Sequence, residues 1–215
     1  MVRLADVIHS TDDSTVESAA KVCSAEAFCL CVSTLDVRKN QRLLYEVRSL
    51  LAALDPDTCP DILCVGTPHL LVKDFVYEVV NDRSVNRHMH LLEAIDDYEL
   101  GWYYENCLAT IYPSKYEGWG MPVAESLGYG RMCLASNATS VPEIRSDLPE
   151  YCETHDAVTL FKLVQRVVSD PAWVQQREKQ IRDTFTPTSW KQTAEQVVTA
   201  IQCVMHPSRE PVKSD

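Results

Sequence analysis

The sequence predicts an α/β fold in which a Rossmann-like parallel sheet carries helices on both faces. Short apolar runs rich in strand-forming residues alternate with longer segments whose apolar residues recur at helical spacing. The strand runs are apolar at nearly every position, as expected for a parallel sheet that is buried on both faces. Hydrophobic residues make up 46% of the 215 positions, which is enough to bury such a core. The connections between the parallel strands are therefore expected to be right-handed crossovers.

The predicted elements follow one another regularly from Ala27 onward. The first strand, AFCLCVSTL, is followed by NQRLLYEVRSLLAAL, whose leucine and valine residues lie on one helical face. Four further strands are predicted in the runs DILCVG, HMHLLEAI, LATIYPS and MCLAS. Helices are predicted over LLVKDFVYEVVND, over DDYELGWYYENC, which has acids in its first turn, and over residues 122–127. Beyond Pro149 no strand is predicted, and three helices follow in DAVTLFKLVQRVVSD, AWVQQREKQIRDTF and SWKQTAEQVVTAIQCVM.

Composition divides the chain into one domain and two polar ends. Residues 1–22 are polar and acidic without an apolar period, which is typical of a tail or of the remnant of an inter-domain linker. Residues 23–205 contain all the predicted strands and helices, and residues 206–215 form a second polar tail. We therefore expect a single folded domain.

The charge of the chain excludes some classes of partner. Lys and Arg total 20 against 31 Asp and Glu, so the formal net charge is −11. Nucleic acids and anionic lipid surfaces are repelled at this charge, and neither is expected as a partner. The amino-terminal segment lacks the apolar run of a signal peptide, and no stretch is long enough to span a membrane. We expect a cytoplasmic protein without a transmembrane segment, whose association with the inner membrane would require a partner.

Several groups that resemble metal or catalytic sites are better explained as structure. The nine cysteines include no C-x-x-C pair and mostly lie in apolar runs, so we expect them to be reduced and buried. Three further groups are interpreted as structural: the strand-spaced pair His88 and His90, the turn acids Asp55 and Asp57, and the aromatic run Trp102, Tyr103 and Tyr104. No metal site is predicted, because the two histidines lack a third ligand.

The most informative stretch is YEGWGMPVAES, residues 116–126, which directly follows the predicted strand LATIYPS. Open parallel sheets bind ligands beyond the carboxyl ends of their strands, so this loop lies in the right place for a binding site. Gly118 and Gly120 let a ligand approach the main chain, and Pro122 suits the first position of a helix. The unpaired N–H groups at the start of that helix would attract a phosphate.

Two carboxylates flank this loop and require a different ligand group. Glu117 and Glu125 would repel a phosphate at short range, but both can accept hydrogen bonds from the hydroxyl groups of a sugar or a ribose. Arg38 and Lys39 follow the first strand, also at a carboxyl end, and would supply positive charge for a diphosphate. Together these residues predict a nucleotide-sugar site. Taken singly, the acids are more typical of a solvated turn and a helix start, and the basic pair of a charged surface.

The chain resembles the carboxy-terminal half of retaining glycosyltransferases of family 4, which have the two-domain GT-B fold, in the stretches FCLCVSTLDVRKNQRLL, PSKYEGWGMPVAES, SNATSVPE and TSWKQTAEQVV. The resemblance implies that Glu117 contacts the donor sugar, that Glu125 contacts the ribose, and that the basic pair contacts the diphosphate. The candidate catalytic residues are then Glu117, Lys39 and Arg38. The candidate donor-binding residues are Glu125, Gly118, Trp119, Gly120, Met121 and Thr34.

The resemblance also implies the donor, the partner and the cofactor requirement. The Arg-Lys-Asn motif is similar to that of mannosyl and rhamnosyl transferases of bacterial surface polysaccharides, so GDP-mannose is the first donor expected. The hexose would pass to a polysaccharide or glycolipid acceptor, without a divalent metal or another cofactor. The amino-terminal domain that binds the acceptor in this family has no counterpart in the sequence. An acceptor-binding domain or a separate subunit is therefore expected as a partner.

Two departures from the family leave a second function open. Many members carry Gly-Arg where this chain has Ser33 and Thr34, so one phosphate-binding arginine is replaced. The larger departure is length, because we expect none of these 215 residues to form the acceptor domain of the family. The first hypothesis is a catalytic donor-binding domain, which would be inactive as an isolated half. The second is a non-catalytic module that binds nucleotide sugars or mediates an interaction.

Overall fold

A computed structural model describes residues 27–53 and 59–205. These residues form six strands: β1 (Phe28–Val32), β2 (Asp61–Val65), β3 (Met89–Leu92), β4 (Ala109–Tyr112), β5 (Cys133–Ser136) and β6 (Glu150–Cys152). The same residues form eight α-helices: α1 (Gln41–Ala52), α2 (Lys73–Asn81), α3 (Asp97–Asn106), α4 (Met121–Gly128), α5 (Val141–Ile144), α6 (Ala157–Ser169), α7 (Pro171–Thr184) and α8 (Trp190–Met205).

The strands form one parallel sheet in the order β3-β2-β1-β4-β5-β6. β1 pairs with β2 through Cys29↔Ile62 and with β4 through Cys29↔Ala109. The chain runs from β1 outward to β3 and then crosses back to β4 on the other side of β1. The strand order therefore reverses between β1 and β4, and open α/β sheets bind ligands at such a switch point, beyond the carboxyl ends of the strands.

Helices cover both faces of the sheet because strand side chains point alternately to its two sides. On one face, Cys29 and Cys31 of β1 pack in a buried cluster with residues of α1, α2 and α6. On the other face, Phe28 and Leu30 pack with residues of α3, while β4 and β5 pack with α4, α5 and α7. The predicted Rossmann-like α/β fold, with helices on both faces, is confirmed.

Short polar residues mark where several of the helices begin. Three helices start at an aspartate whose carboxylate accepts a backbone N–H of the first turn, a preferred N-cap arrangement. These caps are Asp96 for α3, Asp156 for α6 and Asp170 for α7, with donor–acceptor distances of 2.8, 2.9 and 3.0 Å. α1 begins differently, at Asn40, whose φ of 62° lies in the left-handed region.

The structure adds two short elements to the predicted set. The main correction is β6, because Glu150–Cys152 pairs with β5 beyond Pro149, where no strand is predicted. Its three residues begin with a charged side chain and are too few to show a strand pattern. The other addition is α5, and the first three residues of the helix predicted over LLVKDFVYEVVND form a 3₁₀ turn at Leu70–Val72. The predicted strands are also longer than the observed ones, since the ends of the apolar runs continue into loops.

Some other predictions lie outside the described residues or are confirmed only in part. The polar tails at 1–22 and 206–215 and the turn acids Asp55 and Asp57 lie outside the described residues. Within the described ranges six cysteines are buried as predicted, but Cys59 is partly exposed and Cys203 is exposed. Over the same ranges, no helix combines the length and the apolar character needed to cross a membrane.

Candidate functional site

Two loops meet at the switch point. We name residues 33–40, which follow β1, the β1 loop, and residues 113–120, which follow β4, the β4 loop. The side-chain amide of Asn40 donates to the carbonyl of Pro113 at 3.0 Å and to the carbonyl of Thr154 at 2.7 Å. The Asn40 side chain makes no cap hydrogen bond to α1, and asparagine tolerates the left-handed backbone found there. Asn40 thus ties the β1 loop to the β4 loop and to the segment after β6.

The predicted catalytic residues Arg38, Lys39 and Glu117 come together where the two loops meet. Lys39 Nζ lies 2.7 Å from Glu117 Oε1, and Arg38 Nη1 lies 3.0 Å from Glu117 Oε2. The side chains of Glu117 and Lys39 are only 8% and 12% exposed, whereas that of Arg38 is 45% exposed. The sequence predicts all three in one crevice, but it does not predict that the acid pairs with both cations.

Two hydroxyl groups complete the surroundings of this ion cluster. Ser114 donates to Glu117 Oε1 at 2.7 Å, and Lys39 donates to the Tyr112 hydroxyl at 3.0 Å. Burial by itself would raise the pKa of Glu117, but hydrogen bonds from Lys39 and Ser114 and the charge of Lys39 outweigh it and lower this pKa. Burial, and secondarily the charge of Glu117, raises the pKa of Tyr112 far above its ordinary value. At neutral pH Glu117 is therefore ionised and Tyr112 is neutral.

The backbone of Glu117 is held by the segment between β5 and α5. The N–H of Glu117 donates to Thr139 Oγ1 at 3.0 Å, and Ser140 donates its hydroxyl to the carbonyl of Glu117 at 2.9 Å. Sequence reasoning assigned no role to these two residues. The available signal was their place directly after a predicted strand, at the same edge of the sheet as the β4 loop.

The β4 loop leads into α4 through Gly118, Trp119, Gly120 and Met121, the first residue of the helix. Gly120 has a φ of 100°, and a Cβ there would lie 3.2 Å from the Ile144 side chain, so both the backbone and the space favour glycine. Gly118 has no positive φ, and a Cβ there would meet no atom within 4 Å. The Trp119 ring packs against the core beside α4, and its buried Nε1 finds no hydrogen-bond partner among the described residues.

The other two predicted donor-binding residues, Glu125 and Thr34, have different surroundings. Glu125 is buried on α4, and its Oε2 accepts a 2.8 Å hydrogen bond from the hydroxyl of Tyr104 on α3. The interpretation of Tyr104 as a packing residue is therefore incomplete. Thr34 is exposed in the β1 loop, where its carbonyl accepts a 3.1 Å hydrogen bond from the Gln41 side chain. Neither Tyr104 nor Tyr112 carried a sequence signal beyond its place in an apolar segment.

The two strand-spaced histidines belong to a separate group at the amino-terminal edge of the sheet. His88 Nδ1 and His90 Nε2 each lie 2.9 Å from a different oxygen of Asp61, the first residue of β2. Burial would raise the pKa of Asp61, but the hydrogen bonds from His90 and His88 outweigh it and lower this pKa. An ionised carboxylate only accepts, so both histidines donate to it. Within residues 27–53 and 59–205, no group of three or more His, Cys, Asp or Glu side chains is arranged to hold a metal ion.

Comparison with known proteins assigns the chain to a family. Residues 19–186 match the family described as "Glycosyl transferases group 1". The O-antigen chain mannosyltransferase B of Escherichia coli is 26% identical over 148 residues, which are 69% of this chain and 38% of that protein. The chain thus spans well under half the length of this relative.

Two solved structures share the fold at low sequence identity. The structure of HepE from Anabaena in complex with UDP and glucose superposes with a TM-score of 0.70 at 15% identity, covering 90% of this chain and 53% of that one. The carboxy-terminal domain of a group 1 glycosyl transferase, LpcC from Francisella tularensis, gives a TM-score of 0.65 at 15% identity, covering 82% of this chain and 95% of that domain. With the family match extending over most of its residues, the chain belongs to the group 1 glycosyl transferases.

Proposed function

We propose that this chain is the donor-binding domain of a retaining glycosyltransferase of family 4 and that it binds a nucleotide sugar at the switch point of its sheet. The observation that carries the proposal is the convergence of Arg38, Lys39 and Glu117 between the β1 loop and the β4 loop. Two cations and an acid at the carboxyl ends of β1 and β4 suit a ligand that has both phosphate and hydroxyl groups.

In the proposed complex, the diphosphate is bound by Arg38, Lys39 and the amino-terminal end of α4. The cations now contact Glu117, so an incoming diphosphate has to share them with this carboxylate or take its place. Arg38 suits this exchange because nearly half of its side chain is exposed. The positive end of the α4 dipole adds a further attraction for phosphate, but Pro122 has no N–H and the Val123 N–H already donates to the carbonyl of Gly120 at 3.0 Å.

The two acids take the hydroxyl groups of the ligand. Glu117, freed in part from the cations, accepts hydrogen bonds from the donor sugar beside Gly118, Trp119 and Gly120. Glu125, which lies one turn into α4, accepts hydrogen bonds from the ribose. Hydrogen bonds to a charged group are each worth roughly 1.5–3 kcal/mol, so the acids would select for both sugars of the donor.

The first donor proposed is GDP-mannose, with a polysaccharide or glycolipid as the acceptor. The support is the similarity to the E. coli O-antigen chain mannosyltransferase B together with the Arg-Lys-Asn motif of the β1 loop.

We further propose that a separate domain or subunit binds the acceptor. One face of α8 exposes the apolar residues Trp190, Val197, Val198, Ile201, Val204 and Met205, which suits packing against such a partner.

The chemistry proposed for the site needs no metal or other cofactor. As the bond between the sugar and the diphosphate breaks, negative charge develops on the leaving diphosphate. Arg38, Lys39 and the start of α4 would stabilise this charge from fixed positions. Glu117 would orient the sugar on the other side of the breaking bond.

A non-catalytic module that binds nucleotide sugars remains the second candidate. The observation that favours it is Thr34, an exposed neutral residue where many family members carry an arginine. Transfer of mannose from GDP-mannose by this chain in the presence of its acceptor-binding partner would exclude the module. Tight nucleotide binding without transfer by the same complex would favour it.

The experiment that tests the proposal is a thermal-shift screen against GDP, UDP, ADP and their sugars, followed by titration calorimetry. A ligand that binds only the folded state raises the melting temperature, and GDP and GDP-mannose are expected to do so. Glu125→Ala should weaken nucleotide binding about ten- to a hundredfold. Glu46→Ala, which changes an exposed acid on α1, is the matched control and should leave the affinity unchanged. The proposal fails if no nucleotide raises the melting temperature, or if both variants bind as tightly as the original chain.

A further inference from the structure

We propose that Tyr104 is a positioning residue that orients Glu125 for the ribose of the donor; this inference rests on the proposed function. Its hydroxyl lies 2.8 Å from Glu125 Oε2, and Tyr104 is fully buried on α3. Glu125 is carried by a different helix, α4, and is 8% exposed. The bond therefore connects an inaccessible side chain to a carboxylate that still reaches the surface.

The tyrosine is held in place by its ring as well as by its hydroxyl. The ring stacks on Tyr129 with the centroids 4.9 Å apart and the planes 8° apart, and Tyr129 directly follows α4. Tyr104 thus contacts both Glu125 and the end of the helix that carries it. A carboxylate oriented before the ligand arrives loses less side-chain entropy on binding.

The tyrosine is a hydrogen-bond donor throughout the physiological range. Burial, followed by the negative charge and the hydrogen bond of Glu125, raises the pKa of Tyr104 well above its ordinary value. A carboxylate offers about four lone-pair positions, and the hydrogen bond from Tyr104 occupies one of them. The bond can therefore orient Glu125 without blocking it.

Tyr103 provides a matched control because it is the adjacent residue on α3 and is equally buried. Its hydroxyl donates at 3.2 Å to Glu99 on the same helix, and its ring packs edge-to-face on Phe28 at 5.9 Å between centroids. Tyr104→Phe and Tyr103→Phe each remove one oxygen and keep the ring. Tyr104→Phe removes a hydrogen bond to Glu125, whereas Tyr103→Phe removes one to Glu99.

The test is calorimetric titration of the whole chain and its variants with GDP and UDP, each beside its 2′,3′-dideoxy form. Tyr104→Phe should weaken binding of the ribonucleotide that the chain accepts by roughly three- to tenfold. It should not weaken binding of the dideoxy form, because that ligand has no ribose hydroxyls for Glu125 to accept. Tyr103→Phe should leave both affinities unchanged. Adding Tyr104→Phe to Glu125→Ala should cause no further loss, because the tyrosine acts through the acid.

Equal losses for the ribonucleotide and its dideoxy form would overturn the positioning role, because they indicate a general structural effect. The positioning role would also be overturned if Tyr104→Phe bound the ribonucleotide normally while Glu125→Ala bound it more weakly. In that case the proposed function would stand. If Glu125→Ala itself bound the ribonucleotide normally, the assignment of Glu125 to the ribose would fail, and this inference with it.

Discussion

Two buried carboxylates lie at opposite edges of the same sheet, and each has two basic neighbours. At the amino-terminal edge, Asp61 is paired with His88 and His90. At the carboxyl-terminal edge, Glu117 is paired with Arg38 and Lys39. In both groups, each carboxylate oxygen has its own nitrogen partner at 3.0 Å or less. The two groups are therefore similar in composition and in local geometry.

The groups differ in what holds them. Asp61 begins β2, and its partners lie at the start of β3, so the parallel ladder between these strands fixes the whole group. Glu117 and its cations lie in the β4 loop and the β1 loop, after their strands have ended. Asp61 is 2% exposed and its partners are about one quarter exposed or less, whereas Arg38 is 45% exposed. We therefore propose that the first group stabilises the fold and that the second exchanges partners with the ligand of the proposed function.

The largest effect on stability is expected from Asp61→Ala. Two hydrogen bonds to an ionised group are lost, so the free energy of unfolding should fall by about 3 kcal/mol. Urea unfolding measures this change, with the exposed Asp183→Ala on α7 as a control that should shift stability by no more than about 0.5 kcal/mol. Nucleotide affinity should be unchanged in both variants. A nucleotide-binding defect in Asp61→Ala at temperatures where it is folded would contradict the division between the two groups.

Lys39→Ala should reduce nucleotide affinity strongly and stability only slightly, in contrast to Asp61→Ala. Removing this partly buried cation should weaken binding of a nucleoside diphosphate by about thirtyfold, which is the loss of about 2 kcal/mol of charge-assisted hydrogen bonding. Stability should fall by only about 1 kcal/mol, because Glu117 keeps Arg38 and Ser114 as partners. Calorimetry and urea unfolding on the same preparation separate the two quantities. A loss of stability as large as that of Asp61→Ala, with normal nucleotide affinity, would make Lys39 a structural residue.

Glu117→Gln should weaken binding of the nucleotide sugar without weakening binding of the free nucleotide. The uncharged amide no longer competes for Arg38 and Lys39, so free GDP should bind as tightly as before or a fewfold more tightly. GDP-mannose should lose affinity, because the amide is a weaker acceptor for the hydroxyls of the sugar. The ratio of the two dissociation constants, measured by titration calorimetry, checks this prediction. Equal losses for both ligands would argue against a role of Glu117 at the sugar.

The smallest effect is expected in the pH dependence of stability. The pKa values of Asp61 and Glu117 are both lowered in the folded protein, so each ionised carboxylate contributes stability above the ordinary pKa range of an acid. This contribution is lost as the pH falls below about 4 and through the folded-state pKa values. The difference in melting temperature between the original chain and either Asp61→Asn or Glu117→Gln should therefore be largest near neutral pH. It should shrink in acid, and a constant difference across pH 3–7 would contradict the assignment of these pKa shifts.

The fold and the site differ in how well the sequence predicts them. The order of long apolar and amphipathic segments predicts five of the six strands and the flanking helices. A strand that is buried on both faces has to be apolar throughout, as in ILCV, whichever strands it pairs with. β6 could not be predicted in this way, since its three residues gain their strand conformation from pairing with β5. The meeting of Arg38, Lys39 and Glu117 at the candidate site is equally predictable, because the ends of β1 and β4 are defined by these apolar runs.

By itself, the sequence determined the parallel α/β architecture and the identity of the charged residues at its carboxyl edge, because both depend on segment order and residue type. Only the tertiary structure decided that Glu117 pairs with Arg38 and Lys39, that Tyr104 reaches Glu125, and that the two histidines share Asp61. Each of these contacts joins residues from different strands, helices or loops. The distances between these residues depend on how the strands, helices and loops pack. A local sequence pattern does not predict that packing.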